Sequence, residues 1–252
     1  MQGKQITLLD DEQWPTEGFG FELPIRTEAA ALGVIDVQHY CIDPEENLAH
    51  VVKEHCPELF NDYKTRIRQM IENIKKLQAA FRSAGRKVFF TRHGSQSSDG
   101  SDLIVRRRGR EQAALQATDD KAGHMPMKGQ KGYEVVSEVA PRPGELVLDK
   151  NTSSAFHTTP IDLFLRNMRV ETIVLTGIAA DMCVLTTALD AADRGFHVII
   201  ASDACTTFDA GSAEATQILF GRVFGYVMQT DDIIQWLKTG EQPKRRRLSA
   251  GP

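Results

Sequence analysis

Long apolar runs are missing from this chain: no stretch approaches the roughly 20 residues that a bilayer-spanning helix needs, and no membrane association is expected. Cysteine is sparse. Cys41, Cys56, Cys183 and Cys205 show no C-x-x-C or other paired spacing, which argues against a disulfide scaffold or a zinc ribbon. A surplus of one charge is lacking too. The formal net charge of −4 offers no basic surface for nucleic acid or an anionic membrane. The N-terminus turns acidic at Asp10-Asp11-Glu12 with no apolar core before it, so no secretory leader is expected. Absent as well are a Gly-x-Ser-x-Gly elbow, a Gly-x-Gly-x-x-Gly turn after a strand, and a P-loop. Serine hydrolase, dinucleotide oxidoreductase and NTPase readings therefore lack support. A reduced, cytoplasmic enzyme is the expectation, and 252 residues suffice for one substantial core.

What is present is an alternation of short apolar runs and helical patterns. Residues 1–30 are polar and aperiodic, an arm with Pro15 and Pro24. Strands are expected at Ala31–Asp36, Lys87–Thr91, Glu145–Asp149, Glu171–Thr176, Phe196–Ala201 and Val223–Met228, from β-branched and apolar runs. Between them, helices are expected at Tyr63–Ala84, Thr159–Met168, Val184–Arg194, Ala213–Phe220 and Asp231–Lys238. This order implies βαβ units: a three-layer, Rossmann-like α/β fold with a parallel sheet of about six strands and helices on both faces. The main domain is placed at residues 31–240. Within it, 94–143 is a long irregular insert, a candidate lid or interface loop. The tail, 241–252, carries the basic run Lys244–Arg247, which reads as a frayed solvated terminus.

In such sheets reactive groups gather beyond the carboxyl ends of the strands. Asp36 ends the first strand, Lys150 the third, and Cys183 follows the fourth. A carboxylate, an ammonium and a thiol would thus meet on one rim. At a strand-to-helix junction the free amides and the helix dipole are expected to ease loss of the Cys183 proton. The carboxylate would accept that proton and the ammonium would hold both groups in place. Singly, each has a plainer reading: a strand-end acid, a solvated lysine, a small core cysteine.

Gly33-Val-Ile-Asp36-Val-Gln38, Asp149-Lys150-Asn-Thr-Ser-Ser-Ala-Phe156, Thr176-Gly-Ile-Ala-Ala-Asp-Met-Cys183-Val, and Ser202-Asp-Ala-Cys205 together resemble the isochorismatase-like cysteine hydrolases. That superfamily includes nicotinamidases, N-carbamoylsarcosine amidase, biuret hydrolases and ureidoacrylate amidohydrolases. The resemblance covers roughly residues 31–40, 84–93 and 144–232. It implies Asp36 as general base, Lys150 as its cationic partner and Cys183 as nucleophile. It further implies a cis peptide between Ile178 and Ala179, with the Ala179 and Cys183 amides as oxyanion hole. The implied activity is hydrolysis of a C–N bond in a small linear amide, carbamoyl or ureido compound through a thioester. The substrate is a small molecule, no cofactor is required, and the assembly is a homodimer or homotetramer. Vinyl-ether hydrolysis of the isochorismatase kind, or a non-enzymatic binding role, is the alternative.

Nicotinamidases hold a metal on an Asp-x-His pair and a further His. No Asp-x-His occurs here, so no metal is expected. Arg92 and His93 end the second strand and are candidate substrate contacts, with a solvated loop pair as the plainer reading. Gln38 is either a donor to substrate or a loop tie. Phe156 resembles the family's pocket-wall aromatic, against ordinary core packing. In carbamoylsarcosine-type enzymes an arginine after the Asp-Ala-Cys block binds the substrate carboxylate. The stretch Asp203–Asp209 has none. Arg92 or the Arg106–Arg108 run would have to replace it, although such runs more often face solvent.

Overall fold

Strand alternation built from the sequence translates directly into the sheet. The structure, a computed structural model, describes residues 23–117 and 123–241. The strands are β1 (Ala30–Ile35), β2 (Lys87–His93), β3 (Leu146–Lys150), β4 (Thr172–Ile178), β5 (His197–Thr206) and β6 (Tyr226–Met228). They form one sheet in the order β3-β2-β1-β4-β5-β6, and every neighbouring pair is parallel. Helices α1 (His39–Ile42), α2 (Asn47–His55) and α3 (Pro57–Ser83) follow β1, and α4 (Val105–Ala117) lies between β2 and β3. After β3 come α5 (Ala155–Thr158) and α6 (Ile161–Asn167); α7 (Leu185–Asp193), α8 (Ala210–Val223) and α9 (Thr230–Thr239) follow β4, β5 and β6.

Residues along β1 point alternately to two separate cores, as strand geometry requires. Leu32 and Val34 join the core under α3 and α9, with Phe60, Tyr63, Ile74, Phe81, Ile233 and Trp236. Ala31 and Ile35 join the opposite core, with Ile161 and Leu165 of α6, Ala188 and Ala191 of α7, and Phe220 of α8. The sheet is thus covered on both faces, as expected.

Element edges differ from the expectations in instructive ways. Helix α3 starts at Pro57 rather than Tyr63, because proline is well placed in a first helical turn. Helix α4 was not expected: its Val105-Arg-Arg-Arg-Gly-Arg start has no apolar stripe, and helix-forming side chains alone carry it. Strand β5 runs on through Ser202 and Asp203 to Thr206, because Cys205 and Thr206 pair with Gly177 and Ile178 after a register shift in β4. Gly177 sits at that shift with φ 116°. A Cβ there would stand 2.1 Å from the Ile35 carbonyl oxygen, so only glycine fits.

The chain winds outward from β1 through β2 to β3, then restarts on the other side of β1 with β4. The carboxyl ends of β1 and β4 therefore flank a topological switch point, the ligand crevice of doubly wound sheets. Part of the expected arm, residues 23–29, lies on the body: the Leu23 N–H donates to the Tyr226 hydroxyl at 3.1 Å, and Ile25 is buried. The rest of the arm and the Lys244–Arg247 run lie outside the described residues. The 94–143 insert contributes buried Leu103, Met125, Tyr133 and Val136, and pairs Val135 with Gln38 beyond the end of β1. Among the described residues, no helix is long and apolar enough to cross a membrane.

Candidate active site

Asp36 leaves β1 in a left-handed conformation, φ 50°, with its N–H donating to the Thr91 carbonyl at 3.2 Å. That turn aims the carboxylate along the switch-point crevice. Lys150 reaches it from β3, two strands away, passing His93, its register partner on β2. The Lys150 Nζ donates to Asp36 Oδ2 at 2.6 Å. It also donates to the carbonyls of Thr152 at 3.0 Å and Ser153 at 2.9 Å. The Thr91 hydroxyl donates to Asp36 Oδ1 at 2.6 Å. Both charged groups are fully buried, at 0% exposure. Such a pair is tolerable only when the remaining donors and lone pairs are satisfied, and here the ammonium's three protons all have acceptors.

Cys183 lies in a π-helical turn, Ala180–Val184, between β4 and α7. It is buried beside Asp36 and Lys150. Burial pushes its thiol up to about 11; the Lys150 charge pulls it down, and the charge and hydrogen bond of Asp36 add to the rise. The junction was expected to ease loss of that proton. Removal from water instead outweighs the local dipole, and the resting group is a thiol with the Asp36 carboxylate beside it. The Ile178–Ala179 peptide is cis. The Ala179 carbonyl accepts from the Met182 and Val184 amides, each at 3.1 Å. Among the described residues the Ala179 N–H has no hydrogen-bond partner.

His93 faces the same space. It is buried, its Nε2 has no partner among the described residues, and one of its nitrogens, an Asp36 oxygen and the Cys183 sulfur lie within 4.8 Å of one another. Burial, then the Lys150, Arg107 and Arg106 charges, hold its pKa well below the usual histidine range against a hydrogen bond with the Asn151 backbone. The imidazole is neutral. These three donors could in principle hold a metal ion, but both Asp36 oxygens already accept from Lys150 and Thr91.

The other candidates are placed elsewhere. Arg92 precedes His93 on β2 and so points to the opposite side. It pairs with Asp149 at 2.8 Å and Glu134 at 2.6 Å and lies over the Tyr133 ring. Gln38 is a loop tie: its amide donates to the His93 and Tyr133 carbonyls and accepts from the His93 N–H. Phe156 packs on Phe196, ring centroids 6.0 Å apart, under the Arg194 guanidinium. Those partners follow α7, and the ring packs in the same buried cluster as Cys183. Two residues near the site, Thr91 and Tyr40, escaped the sequence reading. Thr91 stands two before His93 and shares its side of the strand, a parity signal that was available. Tyr40 is buried close to Cys183 and Asp36, and no motif marks it. Arg107 belongs to the run weighed between a substrate contact and a solvated face; its side chain is half-buried, and its Nε is buried with no partner among the described residues. A cavity of about 620 Å³ opens on the insert, lined by residues including Glu46, Asp99, Leu103 and Arg108, and it does not include the Asp36–Lys150–Cys183 group.

A family model described as the isochorismatase domain matches residues 30–232. N-carbamoylsarcosine amidase of Arthrobacter sp is 29% identical over 168 residues, 67% of this chain and 61% of that protein. The chain thus spans about three fifths of that relative's length. Ureidoacrylate amidohydrolase of Variovorax paradoxus (strain S110) is 30% identical over 172 residues, 66% of this chain and 68% of its own. A cysteine hydrolase from Pseudomonas syringae pv. phaseolicola 1448A shares the fold with a TM-score of 0.71 at 24% identity, over 87% of this chain and 97% of that one.

Proposed function

The chain belongs to the isochorismatase family, and from that premise we propose that it is a cysteine-dependent amidohydrolase. It cleaves a C–N bond of a small linear amide, carbamoyl or ureido compound through a thioester. The observation that carries this reading is the buried Asp36–Lys150 pair, 2.6 Å apart, with the Cys183 sulfur within 4.8 Å of the same carboxylate.

Asp36 takes the Cys183 proton as the sulfur attacks the carbonyl carbon. Lys150, fixed by three acceptors, keeps its charge beside the forming thiolate. The carbonyl oxygen becomes an oxyanion held by the Ala179 and Cys183 N–H groups, each such donor contributing about 3 kcal/mol. Asp36 then passes the proton to the departing nitrogen, the C–N bond breaks, and a thioester remains on Cys183. Water, activated by Asp36, hydrolyses it and restores the thiol. His93, with Nε2 free to accept, holds the incoming water or a substrate N–H. The described parts of the insert, 94–117 and 123–143, cover the site, and the protein assembles as a homodimer or homotetramer, which sedimentation measures.

The test is ammonia release from a panel of small amides, carbamoyl and ureido compounds and nicotinamide, with mass analysis of acid-quenched protein. A substrate-dependent acyl adduct on Cys183 and loss of turnover in Cys183→Ala are expected. Full turnover by Cys183→Ala, or cleavage of vinyl ethers alone, would sink the proposal.

A further inference from the structure

Lys150 stands on the edge strand β3 and must cross β2 to reach Asp36 on β1. A flexible four-carbon stem leaves an ammonium free to swing, so its place is set by the acceptors around it. Two of the three, the Thr152 and Ser153 carbonyls, belong to the connection between β3 and α5. That connection, residues 151–154, lies outside both sheet and helix, and side chains stiffen it instead. Two of these ties are internal. The Thr152 hydroxyl donates to the Ser154 carbonyl at 2.9 Å, and the Ser154 hydroxyl accepts from the Phe156 N–H at 3.1 Å. The other two come from the insert. Asn151 Nδ2 donates to the Asp102 carbonyl at 2.8 Å, and Arg106 Nη2, on α4, donates to the Ser153 hydroxyl at 2.7 Å. Ser153 is buried, so this bond ends in the interior although Arg106 itself is exposed.

We propose that Arg106 is a positioning residue for the Lys150 ammonium: through Ser153, the insert helix holds in place a carbonyl that receives one of its protons. Both bonds meet on one residue, the hydroxyl of Ser153 with Arg106 and its carbonyl with Lys150, so the connection cannot shift at one without straining the other. A fully buried ammonium left short of an acceptor pays the cost of an unmet charged donor or moves away from Asp36. The insert is then part of the apparatus that fixes the cation, and α4 must be docked for Lys150 to be in place. This rests on the amidohydrolase reading for what Lys150 does in turnover, but not for where its charge lies.

The test is the rate at which iodoacetamide, an uncharged probe, alkylates Cys183, followed by mass spectrometry in wild type, Arg106→Gln, Ser153→Ala and the double variant. The Lys150 charge favours the thiolate, so a displaced ammonium slows the reaction. Arg106→Gln is expected to react about threefold more slowly at about pH 9, a fraction of one hydrogen bond to a charged group. Ser153→Ala keeps both the carbonyl and the arginine, yet it is expected to slow the reaction as much. The double variant should be no slower than either single one, because both cut the same chain of bonds. An unchanged rate in Arg106→Gln overturns the inference. So does a slowing that recurs undiminished when Arg106→Gln is added to Ser153→Ala, which would mean that the arginine acts through its charge alone. On a compound that the ammonia-release panel shows to be hydrolysed, kcat should fall about tenfold in Arg106→Gln with KM unchanged. A raised KM at constant kcat would assign Arg106 to the substrate and refute the positioning role. Alkylation needs no substrate, so it decides the inference even where the amidohydrolase reading fails.

Discussion

At the scale of single residues, the proposed chemistry turns on the proton between Cys183 and Asp36. Asp36 raises the thiol's pKa and Lys150 lowers it, so the two neighbours should move its titration in opposite directions. In wild type, alkylation of Cys183 by iodoacetamide should climb only as pH approaches about 11. Asp36→Asn should bring that climb to lower pH while abolishing turnover, and Lys150→Met should push it higher. An unaltered profile in Asp36→Asn would mean that the carboxylate is not the thiol's acceptor. Thr91→Val removes the 2.6 Å bond to Asp36 and nothing else charged. Loss of one hydrogen bond to a charged group, about 1.5–3 kcal/mol, predicts kcat lower by roughly tenfold or more, read against an unchanged circular dichroism spectrum. That Asp36, Lys150 and Cys183 meet was legible because each closes or follows an apolar run. Arg92 and His93 were not told apart, because only the pairing of β2 with its neighbours sets which of two adjacent side chains faces the site. The packing of Phe156 on Phe196 was not legible for a related reason: it follows from where α7 ends, which no local motif records.

At the scale of elements, the insert is fastened to the strand ends by a few polar ties. Asp102, just before α4, accepts from Gln96 N–H at 2.8 Å and Ser97 Oγ at 2.9 Å, and its carbonyl accepts from Asn151, which follows β3, at 2.8 Å. Partial burial would raise its pKa, but the hydrogen bonds from Ser95, Gln96 and Ser97 prevail and hold it at about 2. The clasp therefore keeps its charge down to strongly acid pH. Asp102→Ala should free the insert locally, and trypsin cleavage at Arg106–Arg108 should accelerate on the order of tenfold, since local opening exposes the helix. An unchanged cleavage rate would show that α4 is held by other contacts. The sequence displayed the sheet and its covering helices because burial imposes a period on apolar residues. It hid α4, whose residues make no continuous apolar stripe, and it hid the extension of β5, where pairing with β4 overrides polar composition.

At the scale of the whole molecule, one sheet buries two cores and brings groups from β1, β3 and the β4–α7 junction to one switch point. Burial on that scale also encloses thiols. Cys41, Cys183 and Cys205 are all buried, and burial raises the pKa of each. The linked effect on stability has a definite sign. In the unfolded chain a thiol ionises near pH 8.5, whereas in the folded chain it holds its proton well above that, to about 11 for Cys183. The unfolded state therefore binds fewer protons as pH rises past 8.5, and each thiol removes roughly 1.4 kcal/mol of stability per pH unit until its folded-state pKa is reached. Below pH 8.5 these thiols contribute no pH dependence. Urea unfolding under a reductant should accordingly show a midpoint that is steady from neutrality to about pH 8.5 and then falls steeply. Cys205 is the cleanest test, since its sulfur donates to the Leu175 carbonyl at 3.6 Å and no catalytic candidate contributes to its shift. In Cys205→Ala the alkaline fall should be shallower by about one thiol's share, even if the neutral midpoint drops. A fall of undiminished slope would mean that this sulfur is not held in the protonated, buried state from which the prediction starts.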